Sequence, residues 1–310
     1  VECNLVIKDG GELTTGTVFN PITLYPKAIT LIDGVFSSIS NTQVNIDIEL
    51  TADVTIGSAG MVSISGSLNC PDDEIFTIKS TAANATGSLI CASGDIYATV
   101  ERYVDKGGYH FVSPSTTGVT PQNFKFTSGS FDTDLKKWDE SAADWITFGP
   151  ASTEALDPGN GYAFSWDDLT KSSTTAGIVE FNGKITNTQF TKSLAYTDAG
   201  KSAPVGPSNL PGLNLLGNPW TSSIFLDGDI ISDLVNVEPT VWIWDETNGY
   251  YQWASLVAPT GDNNSPDEMY PAVIAVGQGA FMRALGYGAS VTFNPIRRAH
   301  NTDAIFWKDA

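Results

Sequence analysis

Glycine interrupts this chain too often for helices of useful length. Before residue 97, Gly10-Gly11, Gly16, Gly34, Gly57, Gly60, Gly66 and Gly87 fall among short apolar pairs such as Leu5 with Ile7, Val54 with Ile56, Val62 with Ile64 and Phe76 with Ile78. The pattern between the glycines has a period of two. Val44, Ile46, Ile48 and Leu50 alternate with Asn45, Asp47 and Glu49, which gives an extended strand one apolar and one polar face. The spacing predicts an all-β stack of short strands over residues 1–104, with Gly and Asn at the corners. A β-solenoid and an irregular sandwich both satisfy it, because no strict repeat length emerges.

The composition changes near Thr99 to Gly108. All eight Trp lie beyond residue 137, whereas the stretch up to Tyr97 has no Trp, no Arg and three Lys. Residues 105–310 therefore read as a second domain with a thicker, aromatic core. This block repeats itself. Gly108-Tyr109-His110-Phe111-Val112-Ser113-Pro114 matches Gly212-Leu213-Asn214-Leu215-Leu216-Gly217-Asn218-Pro219, and Trp138-Asp139-Glu140 matches Trp244-Asp245-Glu246. Gly159-Asn160-Gly161-Tyr162-Ala163 then matches Gly277-Gln278-Gly279-Ala280-Phe281, in the same order, so the copies occupy about 107–200 and 211–297. Each copy reads as a meander whose aromatic face it cannot cover alone. Packing two of them together predicts a β-sandwich of jelly-roll type built from two similar halves. The one helical stretch expected is short, at Asp229–Val235.

Sixteen basic and 35 acidic residues leave a formal net charge of −19. That field repels polyanions and excludes nucleic acid as a partner. The longest aliphatic run, Ala272–Val276, is far too short to span a bilayer, so no membrane insertion is expected. A chain that opens on Val1 rather than Met fits export followed by removal of a signal. At the other end, Ala304-Ile305-Phe306-Trp307 reads as the start of a further strand, to be covered by continuing chain or by a partner.

Chemistry-bearing groups are few. His110 and His300 have no second His or Cys at ligand spacing, so both read as structural, and no nucleophile elbow, phosphate loop or zinc motif is present. The acidic pairs Asp139-Glu140 and Asp245-Glu246 recur at equivalent places, which favours turns in which Asp bonds the backbone and Glu points to water over the two carboxylates of a glycosidase. No cofactor is expected. Calcium is the cation that the oxygen-rich loops at Asp227, Asp229 and Asp262 would suit, although solvated turns explain them as well. Cys70 and Cys91 are the candidate disulfide, with a pair of small buried thiols as the plain alternative. Tyr250, Tyr251 and Trp253 offer a sugar-stacking platform, against packing between sheets.

In combination, Gly217-Asn218-Pro219-Trp220, Trp242-Ile243-Trp244-Asp245, Gly277-Gln278-Gly279-Ala280-Phe281 and Arg298-Ala299-His300-Asn301-Thr302 resemble motifs of large secreted and surface proteins of Bacteroidota exported by the type IX secretion system. Thr99-Val100-Glu101-Arg102-Tyr103 and His110-Phe111-Val112-Ser113-Pro114 look like the start of the same module, and the resemblance covers most of residues 80–307. It implies a non-catalytic, extracellular, adhesin-like module and carries no catalytic residues over. The expected role is a structural or adhesive module of a bacterial cell surface, assembling with neighbouring modules or subunits and meeting glycans or cell surfaces. The alternative is a carbohydrate-binding module of a secreted hydrolase.

Overall fold

The structure, a computed structural model, describes residues 54–58, 60–70, 76–82, 86–105, 108–124, 134–149, 151–166, 176–197, 211–226, 232–245, 250–256 and 272–300. It adds six short strands before residue 51, for which, as for 250–255 and a few other positions, only the backbone is described. Among the described residues the regular structure is all strand apart from short 3-10 turns such as Pro121–Phe124 and Pro295–Arg297. No helix among them is long and apolar enough to cross a membrane.

The N-terminal part winds as a parallel coil. Its strands are β1 (Leu5–Ile7), β2 (Gly11–Glu12), β3 (Ile29–Leu31), β4 (Gly34–Phe36), β5 (Thr42–Val44), β6 (Ile48–Leu50), β7 (Val54–Ile56), β8 (Met61–Asn69), β9 (Phe76–Ile78), β10 (Ser88–Ser93) and β11 (Tyr97–Val104). Leu5 pairs with Ile29, Ile29 with Ile48 and Ile48 with Leu68, all in parallel. A second ladder runs β2, β4, β7, β9, β11, and a third joins β5, β8 and β10. Each strand thus pairs with one a full turn of chain away, roughly 20 residues on, instead of with its hairpin neighbour. The alternating stretch at Val44–Leu50 divides between two of these ladders, β5 and β6.

Where the composition changes, the fold does not break. β16 (Gly177–Lys184) runs antiparallel along β11 from Tyr97↔Lys184 to Val104↔Gly177, covering the open edge of the last coil. One apolar cluster extends from Val54 and Ile78 through Val100 to Phe164, Phe181 and Val276, and the Trp166 indole donates to Val104 O at 2.9 Å.

Two four-stranded antiparallel sheets form the centre of the second block. In the first, β12 (His110–Val112), β15 (Tyr162–Ser165), β13 (Asp134–Asp139) and β14 (Asp144–Thr147) lie side by side in that order. After β17 (Phe190–Ser193) comes the second, ordered β18 (Leu213–Gly217), β24 (Gly279–Arg283), β21 (Thr240–Asp245), β22 (Tyr250–Ser255). The strands that correspond in sequence occupy the same places in both orders. The sheets meet through Phe111, Ala163 and Trp138 on one side and Leu215, Trp242 and Phe281 on the other.

Both outer faces of this sandwich are covered as well. Val112, Tyr162 and Phe164 turn toward the coil, while Leu216, Ile243, Ala280 and Met282 turn toward small sheets formed by β17, β19 (Ser223–Leu226), β20 (Leu234–Val235), β23 (Ala272–Ile274), β25 (Ser290–Phe293) and β26 (Arg298–Ala299). Burial on two faces is why Tyr162–Ser165 and Gly279–Arg283 read as continuous apolar runs without clean alternation. In the stretch expected to be helical, Ser232 and Asp233 belong to a 3-10 turn, while Leu234 and Val235 instead pair with Val291 and Ser290, a correction set by the open edge of β25; residues 229–231 lie outside the described residues.

Candidate functional site

The contact between the two copies is built from equivalent atoms. Val112 bridges Gln278 and Asn160 bridges Leu216; each residue of the first pair is the counterpart of one in the second. Ser113 N donates to Gly277 O at 2.9 Å, and Gly217 N donates to Gly159 O at 3.1 Å. Gly159 and Gly277 have φ of +85° and +70°, a region that favours glycine, so the repeated Gly-x-Gly serves a turn on each side of an approximate two-fold axis. Gly161 N donates to Leu215 O at 3.0 Å, an approach a side chain there would block.

The other motif residues act as pins. Asn218 is fully buried; its amide donates to Ser222 O, Ile274 O and Ala275 O at 2.8–3.1 Å, and its oxygen accepts from Trp220 N at 2.9 Å. Gln278 Oε1 accepts from Ala275 N at 2.9 Å, closing the same loop. The turn so held docks on the coil: Leu89 N donates to Thr221 O, and Thr221 Oγ1 to Leu89 O. The C-terminal end of the described chain docks beside it. Arg298 donates to Cys91 O at 2.9 Å, and His300 lies 2.8 Å from both Ser63 Oγ and Ser88 Oγ. Burial pushes the His300 imidazole down to about 4, so at neutral pH it is an uncharged bridge between two strands of the coil.

Glu140 departs from expectation. Asp139 caps its turn as predicted, accepting from Ser141 N and Ala142 N, but Glu140 does not point to water. It is buried and accepts from Thr197 N, Thr197 Oγ1 and Gly212 N at 2.8–2.9 Å, because the start of the second copy packs over this turn of the first. The half-buried group of Tyr109, Asp134 and Lys136 is similarly closed. Burial and the Asp134 carboxylate push the Tyr109 phenol up. Burial works against the Lys136 charge, but hydrogen bonds to Asp134 and Tyr109 outweigh it and hold the ammonium protonated.

Beside the inter-copy contact lies an open polar cleft of about 360 Å³, whose walls include Lys137, Trp138, Asp139, Asn160, Lys192 and Asn214. Sequence patterning marks Lys192, since it lies between Phe190 and Leu194 in an alternating run, but nothing in the sequence shows that it faces a cleft.

The candidate disulfide is not formed, and the plain reading of small buried thiols holds. Cys70 and Cys91 are buried thiols. Cys91 pairs with Ile64 of β8, whereas Cys70 follows the end of that strand and pairs with Ile96, an offset of six residues or about 20 Å of extended chain against the ~7 Å limit between bridged Cα atoms. Tyr250, Tyr251 and Trp253 lie on β22, where Tyr251 is in register with Trp244 and Trp253 with Trp242; their side chains are outside the described residues. Asp227, Asp229 and Asp262 lie outside them too, and among the described residues no three His, Cys, Asp or Glu side chains gather to hold a metal.

This architecture defines an all-β protein in which a parallel coil and a duplicated antiparallel sandwich share a core. The chain belongs to the family described as Domain of unknown function (DUF8693), whose model matches residues 26–310. Comparison with curated proteins and with solved structures finds no match.

Proposed function

We propose that this chain is a non-catalytic structural module of an extracellular bacterial surface protein, serving adhesion by holding neighbouring modules or subunits in fixed relation. One observation carries the reading: polar side chains that could do chemistry are instead committed to fixing backbone. Glu140 holds the start of the second copy, Asn218 holds three carbonyls, and His300 ties the C-terminal end to two strands of the coil. A continuous core from the coil into the sandwich supports a stiff unit that transmits load rather than one that opens around a substrate. The resemblance to modules of exported Bacteroidota surface proteins supports the location.

The test couples the purified chain to beads and measures their retention under flow on bacterial cells, host cells and polysaccharide films. Retention above that of beads carrying an unrelated acidic protein supports adhesion. No retention on any surface, together with turnover of a substrate in a broad hydrolase panel, would overturn the reading.

A further inference from the structure

We infer that the cleft between the two copies is a binding site for a carboxylate-bearing sugar, with Lys192 as its cation. On β17 the side chains alternate. Thr191 and Ser193 are exposed, while Phe190, Lys192 and then Leu194 turn inward. Phe190 stacks on Phe293 with ring centroids 4.9 Å apart, and Leu194 belongs to the apolar cluster behind the second sheet. Lys192 therefore stands at a position that the strand's own period assigns to the core, between two core residues.

Its ammonium has no direct ion-pair partner among the described residues. Lys137, on another wall of the cleft, pairs with Glu154 at 2.7 Å, but Lys192 has no ion pair or hydrogen bond among the described residues. Two carboxylates, Asp139 and Glu140, share the cleft, but their oxygens are taken up by the amides of Ser141, Ala142, Thr197 and Gly212 and neither pairs with Lys192, and a half-buried ammonium without a bonded anion is costly unless a ligand supplies one. Burial pushes its pKa down, with the Asp157 carboxylate only partly opposing this, which is the same cost seen as a proton equilibrium.

The rest of the lining fits a pyranose. Trp138, Ile146 and Leu215 give apolar surface for a ring's C–H face, and Asp139, Asn160, Ser193 and Asn214 surround it with groups that exchange hydrogen bonds with hydroxyls. A volume of about 360 Å³ suits one or two sugar units. The site does not depend on the scaffold role, whose test is retention of beads, so either can fail alone.

Isothermal titration with glucuronate and galacturonate oligosaccharides, neutral gluco-oligosaccharides, acetate and citrate tests the assignment at neutral pH and low salt. The expected result is binding of a uronate oligosaccharide by the wild type, weakened more than tenfold in Lys192→Met and Lys192→Gln. Both variants should melt no lower than the wild type, since each removes a half-buried charge without a bonded anion. In the unsubstituted protein, reductively ¹³C-methylated Lys192 should shift in NMR spectra on addition of the uronate, which keeps the test open should a variant fold poorly. Absence of uronate binding, equal affinity in the variants, or equal binding of citrate and acetate would overturn it.

Discussion

Ser113 and Gly217 hold equivalent places in the two copies and lie against each other, the Ser113 side chain filling the space where a Cβ on Gly217 would stand. A pair of counterparts in contact must lie near the axis that relates the copies, and two side chains cannot occupy that space together. The bridges Val112–Gln278 and Asn160–Leu216 flank the pair on either side. The same economy appears one layer away, where Ala163 and Phe281 are counterparts buried in one interface, one small and one large.

Gly217→Ala is expected to destabilise the protein by about 1–3 kcal/mol, the usual cost of forcing extra volume into a packed contact. Combining it with Ser113→Gly should recover part of the loss, and only part, since Asn160 O would still lie 2.6 Å from the new Cβ. A double-mutant cycle from urea denaturation reads the coupling directly. Strict additivity would show that the two positions do not meet.

Glu140→Ala strips the acceptor from the amides of Thr197 and Gly212 and from the Thr197 hydroxyl. Leaving such donors without partners costs about 3 kcal/mol or more. Hydrogen exchange should quicken at Gly212 and Thr197 before it does in β12 or β15. Unchanged protection at those two amides would remove Glu140 from its role as the clasp between the copies.

What was legible in sequence was periodicity and repetition. The period of two gave strands, and the matched Gly, Trp and Pro segments gave two sheets with one strand order. Partners distant along the chain were not legible. Nothing local to Glu140 announces that Gly212 will close over it, so a turn beside an Asp reads as solvated. Likewise the sequence leaves Cys70 and Cys91 open between two buried thiols and a disulfide, and only the parallel register of β8 and β10 separates them. Lys192 lay between these cases: its inward phase is visible in Phe190-x-Lys192-x-Leu194, but its lack of a carboxylate partner is a fact of three dimensions.

Phe281 touches Phe111, Trp138 and Trp145 at centroid separations of 5.4, 5.6 and 6.1 Å, in edge-on geometries that suit aromatic quadrupoles. Phe281→Ala should therefore cost about 3–5 kcal/mol, a large-to-small loss in a site closed by rigid rings. Near-ultraviolet circular dichroism should lose intensity from the coupled indoles while the far-ultraviolet spectrum keeps its strand signature. A loss below about 1 kcal/mol would mean the sheets do not depend on this contact.

His300 supplies a pH dependence whose sign follows from its burial. The folded protein holds the imidazole neutral down to about 4, whereas the unfolded chain protonates near 6.5. Between those values the unfolded state binds more protons, so stability rises with pH; the His300 contribution is fully present above 6.5 and is lost as pH falls through about 4. His300→Gln keeps hydrogen-bonding capacity toward Ser63 and Ser88 without titrating. The wild type should lose more melting temperature than this variant between pH 6.5 and 4, and the His300 ring signals should titrate near the lower value. Parallel curves for the two proteins would show that this histidine does not couple the C-terminal end to the coil through its protonation state.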